Sequence, residues 1–308
     1  MKRAFVVIAL CAVSVTGAGI FAKDAKQTED IIRDILSDSG GEKAVETNKA
    51  QAGRYEALKS DATGPQNSAG RKSVTLNAAG EKKGISSSSE AAPQISNEEQ
   101  ALLKTGIDFY NSGMYDHALK NFRELITRFP QSTVRDLSHM WMGKVYLKQY
   151  KYDESVKEFS AVPPDSGEYP AAVFYSGESY MMKGDHASAI ENFEKVYMRF
   201  PQHELADKAL LAAGRLYLNQ NKGEQALEAA VRVIRSYKDR GTVDVAYYLI
   251  GKVYERDARL KDIETARRVY KQFIKKGETD ERFGKSPLRK RVEQDLARIE
   301  RIYFKMER

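Results

Sequence analysis

From Ser96 onward apolar residues recur at intervals of three and four, with polar residues between them. That spacing is the signature of amphipathic helices. Gly106, Gly143, Gly177, Gly214 and Gly251 stand 37, 34, 37 and 37 residues apart. Three residues after each comes an aromatic: Phe109, Tyr146, Tyr180, Tyr217 and Tyr254. Twelve after comes a small residue, Ala118, Ser155, Ala189 and Ala226, and sixteen after come Phe122, Phe159, Phe193 and the weaker Ala230. Pro130 and Pro201 follow at twenty-four in the first and third copies. The fifth copy slips by three, and Ala266 and Tyr270 resume the pattern if Asp257–Asp262 holds an insertion. Ser96 with Glu99 forms a capping box that opens the first helix. Each copy predicts a helical hairpin. Its glycine lets two helices approach, its small residue sits where they cross, and its aromatics fill the layer between copies. Gly113 and Gly184 relieve the turn, and proline ends the second helix.

Two segments flank the repeats. Residues 23–95 are polar, weakly patterned and rich in Ser, Gly, Ala, Lys and Glu, which predicts a disordered tether. One exception is Asp30–Asp38, where Ile31, Ile32, Ile35 and Leu36 make one apolar stripe on a short helix. So short a helix either docks on something or frays. After Ser286-Pro287, Leu288, Val292, Leu296 and Ile299 share a face in an otherwise charged stretch. A helical stack needs such a last helix, apolar inward and polar outward, so residues 285–308 are expected to cap it.

Residues 1–22 read as a secretory signal: Lys2 and Arg3, then an uncharged run from Ala4 to Ala22 with small residues at its end. Cleavage is expected after Ala18 or Ala22, with an uncleaved anchor through residues 4–22 as the alternative. A lipoprotein signal at Cys11 is a third route, for which Leu10 is a poor neighbour. Each places the folded part outside the cytoplasm, and a bacterial periplasm is the first choice.

The repeat pattern resembles the tetratricopeptide repeat family, whose unit is a 34-residue helix–turn–helix. The resemblance covers about residues 97–277. It implies an all-α fold of about five helical hairpins, residues 96–284, with a capping helix. Phe129-Pro130-Gln131-Ser132 and Phe200-Pro201-Gln202-His203 are similar to repeat junctions of bacterial cell-envelope members. Those include the TolA-binding cell-division coordinators and the lipoproteins of outer-membrane β-barrel assembly. The chain lacks the N-terminal heptads of the first group and the good lipobox of the second.

The resemblance also implies a groove lined by the first helices. Three residues before each glycine come Leu103, Met140, Phe174, Leu211 and Tyr248; one after come Ile107, Lys144, Glu178, Arg215 and Lys252. Four after come Tyr110, Leu147, Met181, Leu218 and Glu255. The first set, Phe174 and Tyr248 above all, is expected to point into the groove, leaving Tyr146, Tyr180 and Tyr254 to intercalate between helices. Such a lining suits a peptide with apolar anchors and some acidic residues.

Composition narrows the chemistry. The 308 residues carry a formal charge of +7, and the single cysteine, Cys11, lies in the signal segment. A mature chain without cysteine excludes disulfides, thiol nucleophiles and cysteine-ligated metals. No phosphate loop, dinucleotide fingerprint, Gly-x-Ser-x-Gly or His-Glu-x-x-His occurs. The four histidines include no i, i+4 pair, and His139 and His186 are expected to pack rather than to ligate. The expected role is non-catalytic and needs no cofactor or metal: a scaffold binding envelope proteins. The basic excess gathers in the last repeat and cap, densest at Arg289, Lys290 and Arg291. It raises a second reading, contact with anionic lipid or cell-wall polymer. Nucleic acid is not expected outside the cytoplasm.

Overall fold

The close approach of paired helices sets the architecture. A computed structural model describes residues 21–37 and 95–304. Thirteen α-helices and no strand occur among them. Five hairpins follow one another: α2 (Asn97–Asn111) with α3 (Tyr115–Arg128), α4 (Arg135–Lys148) with α5 (Tyr152–Ser160), α6 (Tyr169–Lys183) with α7 (His186–Arg199), α8 (Ala206–Asn219) with α9 (Gly223–Ser236), and α10 (Val243–Arg256) with α11 (Ile263–Lys276). Each helix packs on its predecessor and its successor, which makes a solenoid. Ahead of them lies α1 (Phe21–Leu36); behind them come α12 (Glu281–Gly284) and α13 (Arg289–Ile299), which runs into a π turn over Glu300–Phe304.

The aromatic at position sixteen lies flat against the glycine of its own hairpin. A Cβ added to Gly106 or Gly143 would stand 2.5 Å from Cε1 of Phe122 or Phe159, inside contact distance, and Gly177 faces Phe193 in the same way. In hairpin five Tyr270 holds this place against Gly251. Hairpin four has Ala230 there, and Leu249 from α10 fills the space over Gly214 instead. Phe122, Phe159, Phe193 and Tyr270 are fully buried. The expected capping box is present: Ser96 Oγ accepts from the Glu99 N–H at 3.2 Å, and Glu99 Oε2 accepts from the Ser96 N–H at 2.8 Å. The insertion in hairpin five also falls where expected. Asp257 accepts from the N–H groups of Arg259 and Leu260, and Asp262 caps α11.

The ends depart from expectation. Within the span expected to be disordered, α1 is a helix. Its Ile32 and Ile35 are buried in the core of hairpins four and five, where α1 packs on α9 and α11. The stripe was legible; its docking place was not, because the second helices that receive it lie about 200 to 240 residues away. The signal segment to Ile20, with Cys11, and the tether over 38–94 lie outside the described residues. At the other end α13 begins two residues after Pro287 and packs on α11, with Val292 and Ile299 fully buried.

A polar network fastens this cap to hairpin five. Tyr248 donates to Asp295 Oδ2 at 3.0 Å, and Arg298 reaches Asp295 at 2.8 Å and Glu255 as well. Lys252 Nζ lies 2.9 Å from Glu255 and 3.5 Å from Asp295, and the buried Tyr270 donates to Glu255 at 2.8 Å. Burial alone would raise the pKa of Glu255, but hydrogen bonds from Lys252, Arg298 and Tyr270 bring it below its ordinary value. Asp295 is lowered likewise: burial opposes, and Arg298, Lys252 and Tyr248 prevail.

Two outcomes follow. Gly143→Ala, which should gain about 1 kcal/mol of helix propensity elsewhere, is expected to lose a net 1–2 kcal/mol, roughly, because the methyl displaces Phe159; thermal unfolding measures the sign. The depressed carboxylates contribute stability that is full above about pH 4, where the unfolded chain's acids ionise, and lost as pH falls through their lower folded values. Glu255→Gln with Asp295→Asn is expected to be less stable at pH 7 and to lose less between pH 5 and 2, read by acid titration of unfolding.

Candidate partner-binding face

The first helices α2, α4 and α6 stand side by side, and the last turn of α2 and the middle turns of α4 and α6 bring four side chains together. Tyr110, near the end of α2, meets the Trp141 ring edge-on at 5.1 Å. Trp141 and Lys144 are three apart on α4 and so share a face. The Lys144 ammonium lies 4.5 Å from the Trp141 ring centroid and 4.7 Å from that of Tyr175, on α6. All four are half-buried. A cation held between two rings is attracted to their faces. Burial lowers the pKa of Lys144, against the pull of Glu168, Glu178 and Glu204. The same burial raises Tyr110 and Tyr175.

One turn beyond Tyr175 stands Glu178. Its carboxyl is raised by burial, which outweighs Arg215, Lys148, Lys208 and Lys144 around it. It opens on a cleft of about 260 Å³ lined also by Leu147, Lys148, Tyr150, Met181 and Met182. The face therefore combines aromatic and thioether surface with desolvated charge. It holds no cluster of histidine and carboxylate groups suited to a metal among the described residues.

The residues expected in the groove divide into three groups. Tyr110, Lys144, Glu178 and Met181 come together here, with Leu103 and Ile107 half-buried beside Tyr110 and Trp141, and Arg215 exposed beyond Glu178. Met140, Phe174 and Leu211 do not point into the groove. They are 1, 6 and 3 % exposed; Met140 packs with Phe159 and Ala172, and the Phe174 ring is 5.5 Å from that of Phe193. The reason is helical geometry. Three residues before a glycine share its face, and that face meets the second helix. Tyr248 and Lys252 form the third group, tied to α13. Of the basic patch, Arg289 is half-buried and bonded to Glu293 at 3.2 Å, and Lys290 and Arg291 are exposed.

Sequence reasoning missed Trp141 and Tyr175, two residues before their glycines. The signal was available: Trp141 is the only tryptophan, and both aromatics fall outside the buried columns. It also missed buried acids that clamp one hairpin to the next. Asp207 binds Arg240 at 2.6 Å and Thr242, and Asp244 accepts from Ser286. Tyr146 and Tyr217 do lie between hairpins, with hydroxyls at Arg123 and Glu194 of the preceding second helix.

Comparison with known proteins bears on the repeat fold. A family profile described as a tetratricopeptide repeat matches residues 100–132. Another, described as an outer membrane lipoprotein (YfiO), matches residues 166–300. No curated protein matches the chain. Among solved structures, a tetratricopeptide repeat protein from Parabacteroides merdae superposes with a TM-score of 0.51 at 13% identity, covering 66% of this chain and 74% of its own. MamA gives 0.49 at 17% identity over 59% and 96%. A thermophilic repeat protein of Thermus thermophilus gives 0.43 at 17% over 65% and 99%. At these identities the likeness is one of fold.

Phe174→Glu is accordingly expected to cost about 3–4 kcal/mol, by burying an unpaired charge and losing core packing. A thermal midpoint within 2 °C of the parent would return Phe174 to the groove.

Proposed function

With a tetratricopeptide-repeat solenoid as the premise, we propose that this chain is a non-catalytic protein-interaction scaffold of the bacterial cell envelope. It receives a partner segment along the first helices of hairpins one to three. The observation that carries this reading is the Tyr110–Trp141–Lys144–Tyr175 cluster, half-buried and open to solvent on an otherwise packed solenoid. Binding energy concentrates in a few such aromatic and cationic anchors. An envelope setting is supported by the match to outer membrane lipoproteins over residues 166–300 and by the signal-like residues 1–22. The chain would act in the periplasm, freed by cleavage or held by its N-terminus; no described helix is long and apolar enough to cross a membrane.

Contact with anionic lipid or wall polymer through the C-terminal basic surface has less support. Much of that charge is already paired: Arg282 with Asp280, Lys285 with Glu281, Arg289 with Glu293, Lys271 and Arg267 with Glu300.

Lys144→Glu tests the reading. Its thermal midpoint should stay within a few degrees of the parent. Proteins captured after crosslinking in intact cells, quantified by mass spectrometry, should fall at least tenfold, roughly, as for a hot-spot change. Undiminished capture by the folded variant, or sedimentation with purified cell wall that depends on Arg291 and Lys290, would move the function to the C-terminus.

A further inference from the structure

Large apolar side chains gather along one edge of the solenoid. Met114 and Tyr150 lie at the turns between first and second helices of hairpins one and two, Met182 lies in the last turn of α6 in hairpin three, and they are 44, 74 and 53 % exposed. Hairpins four and five carry polar residues at the same edge, Gln220 and Asn221, then Arg256 and Arg259. The apolar turns are stitched together: Gln149 donates to Asp116 at 3.3 Å, and Lys183 binds Asp153. Tyr150 and Met182 line one cleft.

Tyr150 stands out within it. Seven residues after the glycine the backbone is left-handed in four hairpins, with φ of 75° at Gly113, 61° at Tyr150, 89° at Gly184 and 55° at Asn221. Glycine and asparagine are the residues that accept this conformation readily; a bulky side chain is strained there. Tyr150 bears that strain while three-quarters of its surface faces water, so packing within the chain does not explain it. A strained residue held in place by its surroundings points to a use outside the fold. Its neighbours in the 260 Å³ cleft supply one: Leu147, Met181 and Met182 are apolar walls, and Glu178 a polar group. Glu178 makes no hydrogen bond to any described residue, so it is free to accept one from a peptide N–H. Around it Lys148, Lys208 and Arg215 are exposed and in no ion pair among the described residues.

We propose that this turn edge seats an acidic segment of a partner protein, with an apolar side chain in the cleft beside Tyr150 and flanking carboxylates toward Lys148, Lys208 and Arg215. The inference rests on the binding role proposed above. It moves an anchor from the first-helix face to the turn beside Tyr150 and assigns the partner's carboxylates to named cations.

The test is selection of peptides by the full chain from a random twelve-residue display library, followed by fluorescence anisotropy of the enriched peptides. Enriched sequences should join an apolar residue to an excess of Asp and Glu, and their affinity should fall at least tenfold, roughly, between 50 and 500 mM salt. Tyr150→Gly should bind them at least tenfold more weakly, on the order of a hot-spot loss. It should unfold at the parent's temperature or above, since glycine removes the strain. Enrichment of basic or uncharged peptides, no enrichment, or full binding by Tyr150→Gly would overturn the inference. If Tyr150→Gly binds fully and Trp141→Ala does not, the first-helix reading stands without it.

Discussion

The fold depends on a missing side chain. Each first helix presents a glycine to its partner, and in four hairpins an aromatic ring occupies the space that a Cβ would take. The contact fixes how closely the two helices lie and which way each is rotated. Once that rotation is set, Met140, Phe174 and Leu211, three before their glycines, and Tyr146 and Tyr254, three after, are committed to packing. The faces left over are those of Trp141, Lys144, Tyr175 and Glu178. The surface available for binding is thus what remains after the glycine contact has been satisfied.

The two ends of the solenoid use that remainder differently. Toward the C-terminus it is consumed internally. The α1 stripe covers part of α9 and α11, and α13 stands beside α10 and α11 as a further first helix would, taking up Tyr248, Lys252 and Glu255. A solenoid must end somewhere, and polar closure of the last hairpin keeps its apolar face from water. Toward the N-terminus hairpins one to three keep their aromatic and cationic groups half-exposed, and Met114, Tyr150 and Met182 stand exposed at or beside their turns.

Much of this was legible before any coordinates. The glycine, small-residue and aromatic columns carry the hairpins and the insertion after Arg256, and Ser96 with Glu99 carries the capping box, because each depends on contacts within one hairpin. What depended on contacts between distant segments was not legible. Ile32 and Ile35 announce an apolar stripe, but not that α9 and α11 receive it. Met140 and Phe174 occupy groove positions of the family pattern, although their i, i+3 relation to Gly143 and Gly177 argues for burial. Tyr150 sat in a glycine column, and that misfit was the visible sign of its strain.

The central claim is that the open half binds and the closed half does not. Site-specific photocrosslinking in living cells tests it most directly, with one photoreactive phenylalanine derivative at a time in place of Tyr110, Trp141, Tyr175 or Tyr248. The account predicts adducts to other proteins from the first three positions and none from Tyr248, which α13 covers. Adducts concentrated at Tyr248, with none at Trp141 or Tyr175, would contradict it.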